Sequence, residues 1–259
     1  MDYGANNLHK EKIMSLNLES TKNEYSIEAR VDEYISFAEE IGLWQSERIV
    51  FGKYFNTQNK ILDIGCGAGR TTFGLYDMGY HHITGVDLSD KMIAAAQRIA
   101  HDKGVDISFA TENACALSFD ADSFDAVLFS ANGIMTIPAK EMRQKAFNEI
   151  HRVLKPGGIF IFTTHDMNNP QYIAYWNEER TKWENGEQDK RLLEFGDLVF
   201  SEPNADNCFV HIPLDGEVET YLNESGFHLI YSELRENICD EKPEVLDISV
   251  DCRFLVVEG

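Results

Sequence analysis

A chain of 259 residues, 43% hydrophobic and 26% charged, is long enough to bury one large α/β core or two small ones. Its formal net charge of −21, with no long Lys/Arg cluster, argues against DNA or RNA as a partner, because nucleic-acid affinity draws on cationic contacts. Five scattered cysteines without a C-x-x-C pair argue against a disulfide framework or a metal site; no apolar run nears the roughly 20 residues of a membrane span and no secretory signal opens the chain, so no membrane partner and a cytoplasmic location are expected.

Residues 1–24 are polar and weakly patterned and are expected to form a disordered tail, with residues 25–259 as a single domain. Val31, Tyr34, Ile35, Ala38 and Ile41 recur at helical spacing, and Gly42 can end that helix. A second helical stretch covers residues 46–55. Alternation then begins. Residues 60–64 read as a buried strand, 65–69 as a turn, 70–78 as a helix and 82–87 as a second strand. Ser89 can cap a helix carrying Met92, Ile93, Ala96, Ile99 and Ala100. Residues 105–110 and 124–129 read as strands three and four. Pro138 opens a helix carrying Phe147, Ile150 and Leu154, Lys155-Pro156-Gly157-Gly158 stops it, and residues 159–162 form strand five.

Apolar strands alternating with helices predict a three-layer, Rossmann-like α/β fold with a mostly parallel sheet. After Thr164 the rhythm breaks. Residues 167–213 read as an inserted substrate-side lid with an aromatic-rich helical piece and short strands at 198–200 and 209–212. A helix over 214–225 and strands over 227–234 and 248–257 return the chain to the sheet.

The centre of the sequence is Asp63-Ile64-Gly65-Cys66-Gly67-Ala68-Gly69. A strand-to-helix turn that receives a ligand against its backbone needs residues without Cβ, and the helix beginning there offers free N–H groups to an anionic group. Asp87 ends the next strand, placed to accept the two hydroxyls of a ribose. Dinucleotide enzymes carry G-x-G-x-x-G, whereas this loop has Arg70 where the last glycine belongs and adds Asp63 before the first. Cys66 reads as a small residue fitting the turn rather than a reactive thiol.

These motifs resemble class I S-adenosylmethionine-dependent methyltransferases of the small-molecule type. The glycine turn and Gly85-Val86-Asp87-Leu88-Ser89 look like the first two motifs of that family, and His151-Arg152-Val153-Leu154-Lys155-Pro156-Gly157-Gly158 is similar to the segment before its fifth strand. Ala114-Cys115-Ala116-Leu117-Ser118-Phe119 with Ser123-Phe124-Asp125 matches its third-strand loop and fourth strand. The resemblance is close over residues 59–165 and implies a seven-stranded sheet with the last strand antiparallel and N-terminal helices over the site. It implies S-adenosylmethionine as cofactor and S-adenosylhomocysteine as product. Asp63, Gly65, Cys66, Gly67 and Gly69 would hold the methionine part, Asp87 the ribose, and Leu88 and Met92 the adenine face. Asn113, with Ala114 beside it, stands where the family often has Asp against the adenine amino group. Ser130 would lie where strand four opens toward the methyl.

Methyl transfer is an in-line displacement in which the protein aligns the reactants and excludes water; a base is needed only when the acceptor arrives protonated. In an open α/β sheet the reaction site lies beyond the carboxyl ends of the strands. His165 is the best-placed candidate base, with Asp166 beside it to tune it. Asn132, Tyr172 and Trp176, together with Tyr25, Arg30 and Tyr34 ahead of the core, are candidate substrate-side residues, and Tyr172, Trp176 and Trp183 share a helical face. There is no Asn-Pro-Pro-Tyr-like segment or Pro-Cys after strand four, so a small-molecule acceptor is expected, methylated on oxygen, nitrogen or carbon, by a monomer or homodimer. Alternatives are a non-catalytic cofactor-binding or regulatory protein and a nicotinamide-dependent oxidoreductase.

Overall fold

The apolar runs read from the sequence form the strands β1 (Ile61–Ile64), β2 (Ile83–Asp87), β3 (Ser108–Thr111), β4 (Phe124–Phe129) and β5 (Leu154–Thr164) of a parallel sheet. The structure is a computed structural model, and it describes residues 16–202 and 205–259. A hairpin of β6 (Asp197–Glu202) and β7 (Ala205–His211) stands apart from the sheet, which β8 (His228–Leu234) and β9 (Arg253–Glu258) complete. The seven-stranded order is β3-β2-β1-β4-β5-β9-β8, and β9 runs antiparallel to both of its neighbours.

Period-two alternation divides the sheet's side chains between two cores. Leu62, Ile64, Val127, Phe129, Phe160 and Phe162 face one way, against Phe147 and Ile150 of α6 (Lys140–Val153) and Tyr221 and Leu222 of α8 (Glu217–Ser225). Ile61, Ala126, Leu128 and Ile161 face the other way, against Val50 and Phe51 of α3 (Gln45–Tyr54) and Leu75 of α4 (Arg70–Asp77). With helices on both faces, this is the three-layer fold that the alternation predicts. α5 (Asp90–Lys103) begins at its Ser89 cap, whose hydroxyl accepts from Met92 N at 3.3 Å, and ends at Gly104 in the left-handed region.

Several boundaries differ from the sequence reading. Leu154 pairs with Phe124 and so belongs to β5, while Lys155 to Gly158 bulge before Ile159 pairs with Ala126. Residues 248–252 are not strand, because Pro243 starts the short helix α10 (Pro243–Ile248) and pairing resumes only at Arg253. Of the tail expected over residues 1–24, residues 1–15 lie outside the described residues, and Leu18–Glu24 is a helix, α1. Asn17 caps it by accepting from Ser20 N at 3.0 Å, and Leu16, Thr21 and Glu24 are buried. α2 (Glu28–Ser36) follows and widens into a π turn over Phe37–Ile41 before Gly42 ends it.

The insertion after β5 carries α7 (Ile173–Asn185) and the hairpin, in which Leu198 pairs with Val210 and Phe200 with Cys208. A buried polar cluster fastens it to the core. Arg143 of α6 is fully buried, donating to Tyr221 Oη at 3.1 Å, to Ile137 O at 3.1 Å and to Glu194. His211 at the end of β7 has Nδ1 2.8 Å from Asp197 Oδ1 and Nε2 3.0 Å from Glu217 Oε1. A carboxylate only accepts, so one ring satisfies both contacts only as an imidazolium. Burial opposes that charge, but the hydrogen bonds to Asp197 and Glu217 outweigh it and raise the pKa above the usual 6.5.

The folded state therefore holds a proton that the unfolded chain releases near pH 6.5. The stabilisation by His211 is complete below that pH and is lost as pH rises through the higher folded value. We expect His211→Gln to cost about 3–5 kcal/mol near pH 6, the scale for removing one partner of a buried ion pair. The thermal midpoint of the native protein should fall more steeply into the alkaline range than that of the variant. Parallel slopes in the two pH series would show that the ring is not charged.

Candidate functional site

The turn after β1 brings the backbone to the carboxyl edge of the sheet. Gly65 and Gly67 have φ of +64° and +55°, and a Cβ on Gly67 would stand 2.7 Å from Tyr34 Cδ1, so both the conformation and the space demand glycine. Cys66 N donates to Val86 O at 3.0 Å, joining the turn to β2. Asp87 holds the turn as well: Oδ2 accepts from Gly67 N at 2.9 Å and Oδ1 from Ser89 N at 2.8 Å. Carboxylate oxygens have about four lone-pair positions between them, so two remain for a ligand. Cys66 is buried, and burial raises its thiol well above the usual range, as expected for a packing residue.

Asp63 lies beneath the turn and is 1% exposed. Its Oδ2 accepts from both Thr71 Oγ1 and Thr72 Oγ1 at 2.6 Å, whereas its buried Oδ1 has no partner. Burial pushes the carboxyl up to about 6, against the pull of the two threonine hydroxyls and Arg70. A buried acceptor without a donor is costly, which marks this oxygen as a place for a donor from outside the chain.

Two cavities meet at the turn. One of about 110 Å³ is lined by Gly67, Asp87, Leu88, Met92, Asn113 and Ala114, which gathers the residues expected around ribose and adenine. The Asn113 carbonyl oxygen already accepts from Cys115 N at 2.9 Å, so part of its acceptor capacity is spent on its own turn. The other cavity, of about 480 Å³, is lined by Arg30, His165, Tyr172 and Trp176 among others. Tyr25, Tyr34, Gly65 and Ser130 border both. Asp63 and Gly69 border neither: Asp63 sits below the floor, and Gly69 packs against Phe73 and Phe109 as α4 begins.

The structure corrects one substrate-side expectation. Asp166 does not tune His165, because it is bound to Arg253 Nη2 at 2.8 Å. His165 instead has Nε2 3.2 Å from Asn132 Nδ2, and desolvation lowers its pKa below 6.5. Trp176 and Trp183 share a face as their spacing predicts, both packing edge-on to Phe195 with ring centroids 5.8 and 6.2 Å away, and only Trp176 of the two borders the cavity. Arg30 is buried between the rings of Tyr25 and Tyr34, 5.5 and 5.6 Å away, and is ion-paired to Glu202 of the hairpin and to Glu33 at 3.2 Å.

Two features escape sequence reasoning. One is the hairpin wall: Leu198, Phe200 and Glu202 on β6 and Cys208 and Val210 on β7 alternate along one face and line the larger cavity. Their period of two was the available signal, but nothing in it names the surface they cover. The other is a buried ion pair. Glu47 accepts from Arg70 through both oxygens at 2.6 and 2.7 Å, from Trp44 N at 2.9 Å and from Ser130 Oγ at 2.6 Å. Arg70 also donates to Gly42 O at 2.9 Å and lies 4.8 Å over the Trp44 ring. Arg70 was visible as the residue in place of a third-motif glycine; Glu47 carries no sequence signal.

The matched sequence family coincides with this site. A methyltransferase-domain model matches residues 61–158, from β1 through the start of β5. The ubiquinone/menaquinone biosynthesis C-methyltransferase of Allorhizobium ampelinum is 35% identical over 177 residues, 65% of this chain and 64% of that protein. Over residues 61–158 the chain is similar to the methyltransferase-domain family, and its seven-stranded fold is the one such solved enzymes share. An uncharacterised Haemophilus influenzae protein is 35% identical over 133 residues, 51% of this chain, and the match spans about half (49%) of that relative's length. The solved S-adenosylmethionine-dependent methyltransferase of Methanosarcina mazei is 22% identical with a TM-score of 0.67, covering 84% of this chain and 98% of that one; this likeness concerns the fold alone. The methyltransferase-domain match leaves out the N-terminal helices and the insertion, which build most of the larger cavity.

Removing one member of the Glu47–Arg70 pair leaves the other buried and uncompensated. We expect Glu47→Leu and Arg70→Leu each to cost about 3–5 kcal/mol, and the double variant to cost much less than their sum. Urea unfolding of the three variants measures this, and additive losses would rule out the coupling.

Proposed function

We propose that this protein transfers the methyl group of S-adenosylmethionine to an oxygen, nitrogen or carbon atom of a small-molecule acceptor. The observation that carries the reading is the pair of cavities meeting at Gly65 and Ser130, a narrow one under Asp87 and a roomy one under the insertion. The residues fit the cofactor. Asp63 Oδ1 is an unused buried acceptor suited to the ammonium of the methionine part, Asp87 keeps lone pairs for ribose hydroxyls, and Leu88 and Met92 offer an apolar face to adenine. The cofactor supplies an activated methyl on a sulfonium that leaves as a neutral thioether. The chain's own groups hold and orient it, and residues 167–213 act as the lid that keeps water from the acceptor. A non-catalytic cofactor-binding protein would need no acceptor space, so the 480 Å³ cavity favours catalysis. The methyltransferase-domain match over residues 61–158 lends the nicotinamide reading no support. Among the described residues no helix is long and apolar enough to cross a membrane.

Calorimetric titration with S-adenosylmethionine, S-adenosylhomocysteine and NAD tests the reading. The two adenosyl ligands should bind and NAD should not; failure of both adenosyl ligands overturns it. We expect Asp87→Ala to weaken cofactor binding by about 1.5–3 kcal/mol, the scale of charge-assisted hydrogen bonds. Gly67→Val should abolish binding while circular dichroism reports an intact sheet. The Asp63 carboxyl binds an ammonium only after losing its proton. Cofactor affinity should therefore rise as pH increases through about 6 and then level off, and Asp63→Asn should remove that rise. A flat profile for the native protein would separate Asp63 from cofactor binding. In the ligand-free protein the same shift acts in the opposite direction. The folded state holds the proton longer than the unfolded chain, so this group's contribution to stability declines from pH 3.8 to about 6.

A further inference from the structure

The charges around the larger cavity cancel pairwise. Of its charged lining residues, Arg30 is paired with Glu202, Arg70 with Glu47, Asp166 with Arg253 at 2.8 Å, and Asp251 with Arg235 at 3.5 Å. Each side chain that faces the cavity with a charge already has a counter-ion. An acceptor carrying an ammonium or a carboxylate would bury that charge without an unpaired counter-ion, at a cost of several kcal/mol, and the unpartnered Arg30 Nε and Trp44 Nε1 offer a carboxylate hydrogen bonds but no spare positive charge. The wall opposite is apolar: Leu198 and Val210 are cross-strand neighbours on one face of the hairpin, with Phe200 beyond them and Trp176 beside them.

One place in that cavity asks for a hydrogen-bond donor. Asn132 is 7% exposed and lines the cavity, and its Oδ1 is buried without a partner. It stands just past the end of β4 in a loop where Ala131 and Asn132 have φ of +49° and +58°, a conformation that costs a non-glycine residue such as Ala131 free energy. Thr163 Oγ1 holds this backbone by accepting from Asn132 N at 2.8 Å. The Asn132 amide nitrogen faces His165 Nε2 at 3.2 Å, which makes Nε2 the ring nitrogen that bears the lone pair. The loop thus sets an unused acceptor and a neutral base side by side in a cavity that holds no free charge.

We propose that the acceptor is an uncharged, largely apolar molecule whose reacting group is an ionisable hydroxyl, docked on Asn132 Oδ1 and deprotonated by His165 Nε2. The inference rests on the methyltransferase reading and narrows it to oxygen as the methylated atom. In the step, an oxygen lone pair forms the new O–CH3 bond as the S–CH3 bond breaks, and the sulfur keeps the bonding pair. The hydroxyl's single proton leaves its hydrogen bond to Asn132 Oδ1 and passes to His165 Nε2, which gives up its contact with the Asn132 amide and becomes an imidazolium that later returns the proton to water. Asn132 is the specificity-determining residue: it selects a group that donates.

Three probes with one ring system separate the possibilities: 2-naphthol, 2-naphthoate and 2-naphthylmethylammonium, titrated into the full chain saturated with S-adenosylhomocysteine. We expect the naphthol to bind at least about tenfold more tightly than either ion. Asn132→Gly, which suits the backbone conformation, should weaken naphthol binding about tenfold and leave S-adenosylhomocysteine affinity unchanged. With S-adenosylmethionine, methylation of the naphthol should rise with pH through the titration of His165, and His165→Gln should flatten that rise. If S-adenosylhomocysteine binds but an ion binds as tightly as the naphthol, or the naphthol does not bind, the inference falls and the methyltransferase reading stands. If S-adenosylhomocysteine does not bind, both fall.

Discussion

The ion pair between Glu47 and Arg70 is the constraint on which the site depends. Two charges out of water cost several kcal/mol each, and only complete hydrogen bonding offsets that cost. Here the offset comes from the pair's own two bonds and from three further groups: the Trp44 amide just before α3, the Gly42 carbonyl ahead of it, and the Ser130 hydroxyl just past β4. These bonds tie the start of α3 to β4 and α4, and Tyr34 of α2 stands against Gly67 at the junction of the two cavities.

The insertion is held by the same kind of physics at its other end. Arg143, His211 and Glu217 form a buried network that spans α6, β7 and α8, and the hairpin face above the cavity follows from it. Arg30 reaches the hairpin from the N-terminal side through Glu202. The cavity is thus walled by two segments outside the sheet, each tied down by buried charges rather than by sheet pairing. Such ties are specific in geometry but weak in net stability.

The contrast between legible and illegible parts has a physical origin. β1, the glycine turn and Asp87 were readable because local rules act on neighbouring residues: an apolar run makes a buried strand, and a turn that meets a ligand excludes Cβ. Three-layer architecture followed from the same alternation. Glu47, Thr72 and His211 were not readable, because Glu47 meets Arg70 23 residues away, Thr72 meets Asp63 9 away and His211 meets Asp197 14 away and Glu217 6 away, and such polar pairing has no period. The helix Leu18–Glu24 was missed for a related reason. It has too few apolar residues to show a helical stripe, and it is fixed by the Asn17 cap and by burial of Thr21 and Glu24. Asp166 next to His165 was a false lead, since adjacency along an extended chain sends side chains to opposite sides.

The chain's charge can be read differently once the cavity is known. A net charge of −21 would suggest an electrostatically charged site, yet every charged side chain lining the larger cavity is paired. The surplus acts from elsewhere in the chain, as a field that reaches about one Debye length, roughly 8 Å at physiological salt. Such a field changes encounter rates rather than the fit at the site. It raises the local concentration of a cationic sulfonium cofactor and repels anionic competitors, among them nucleotides and phosphorylated metabolites. Against the proposed uncharged acceptor, an anionic competitor would then be disfavoured twice, by the field at a distance and by the paired lining at contact, and a cationic one at contact alone.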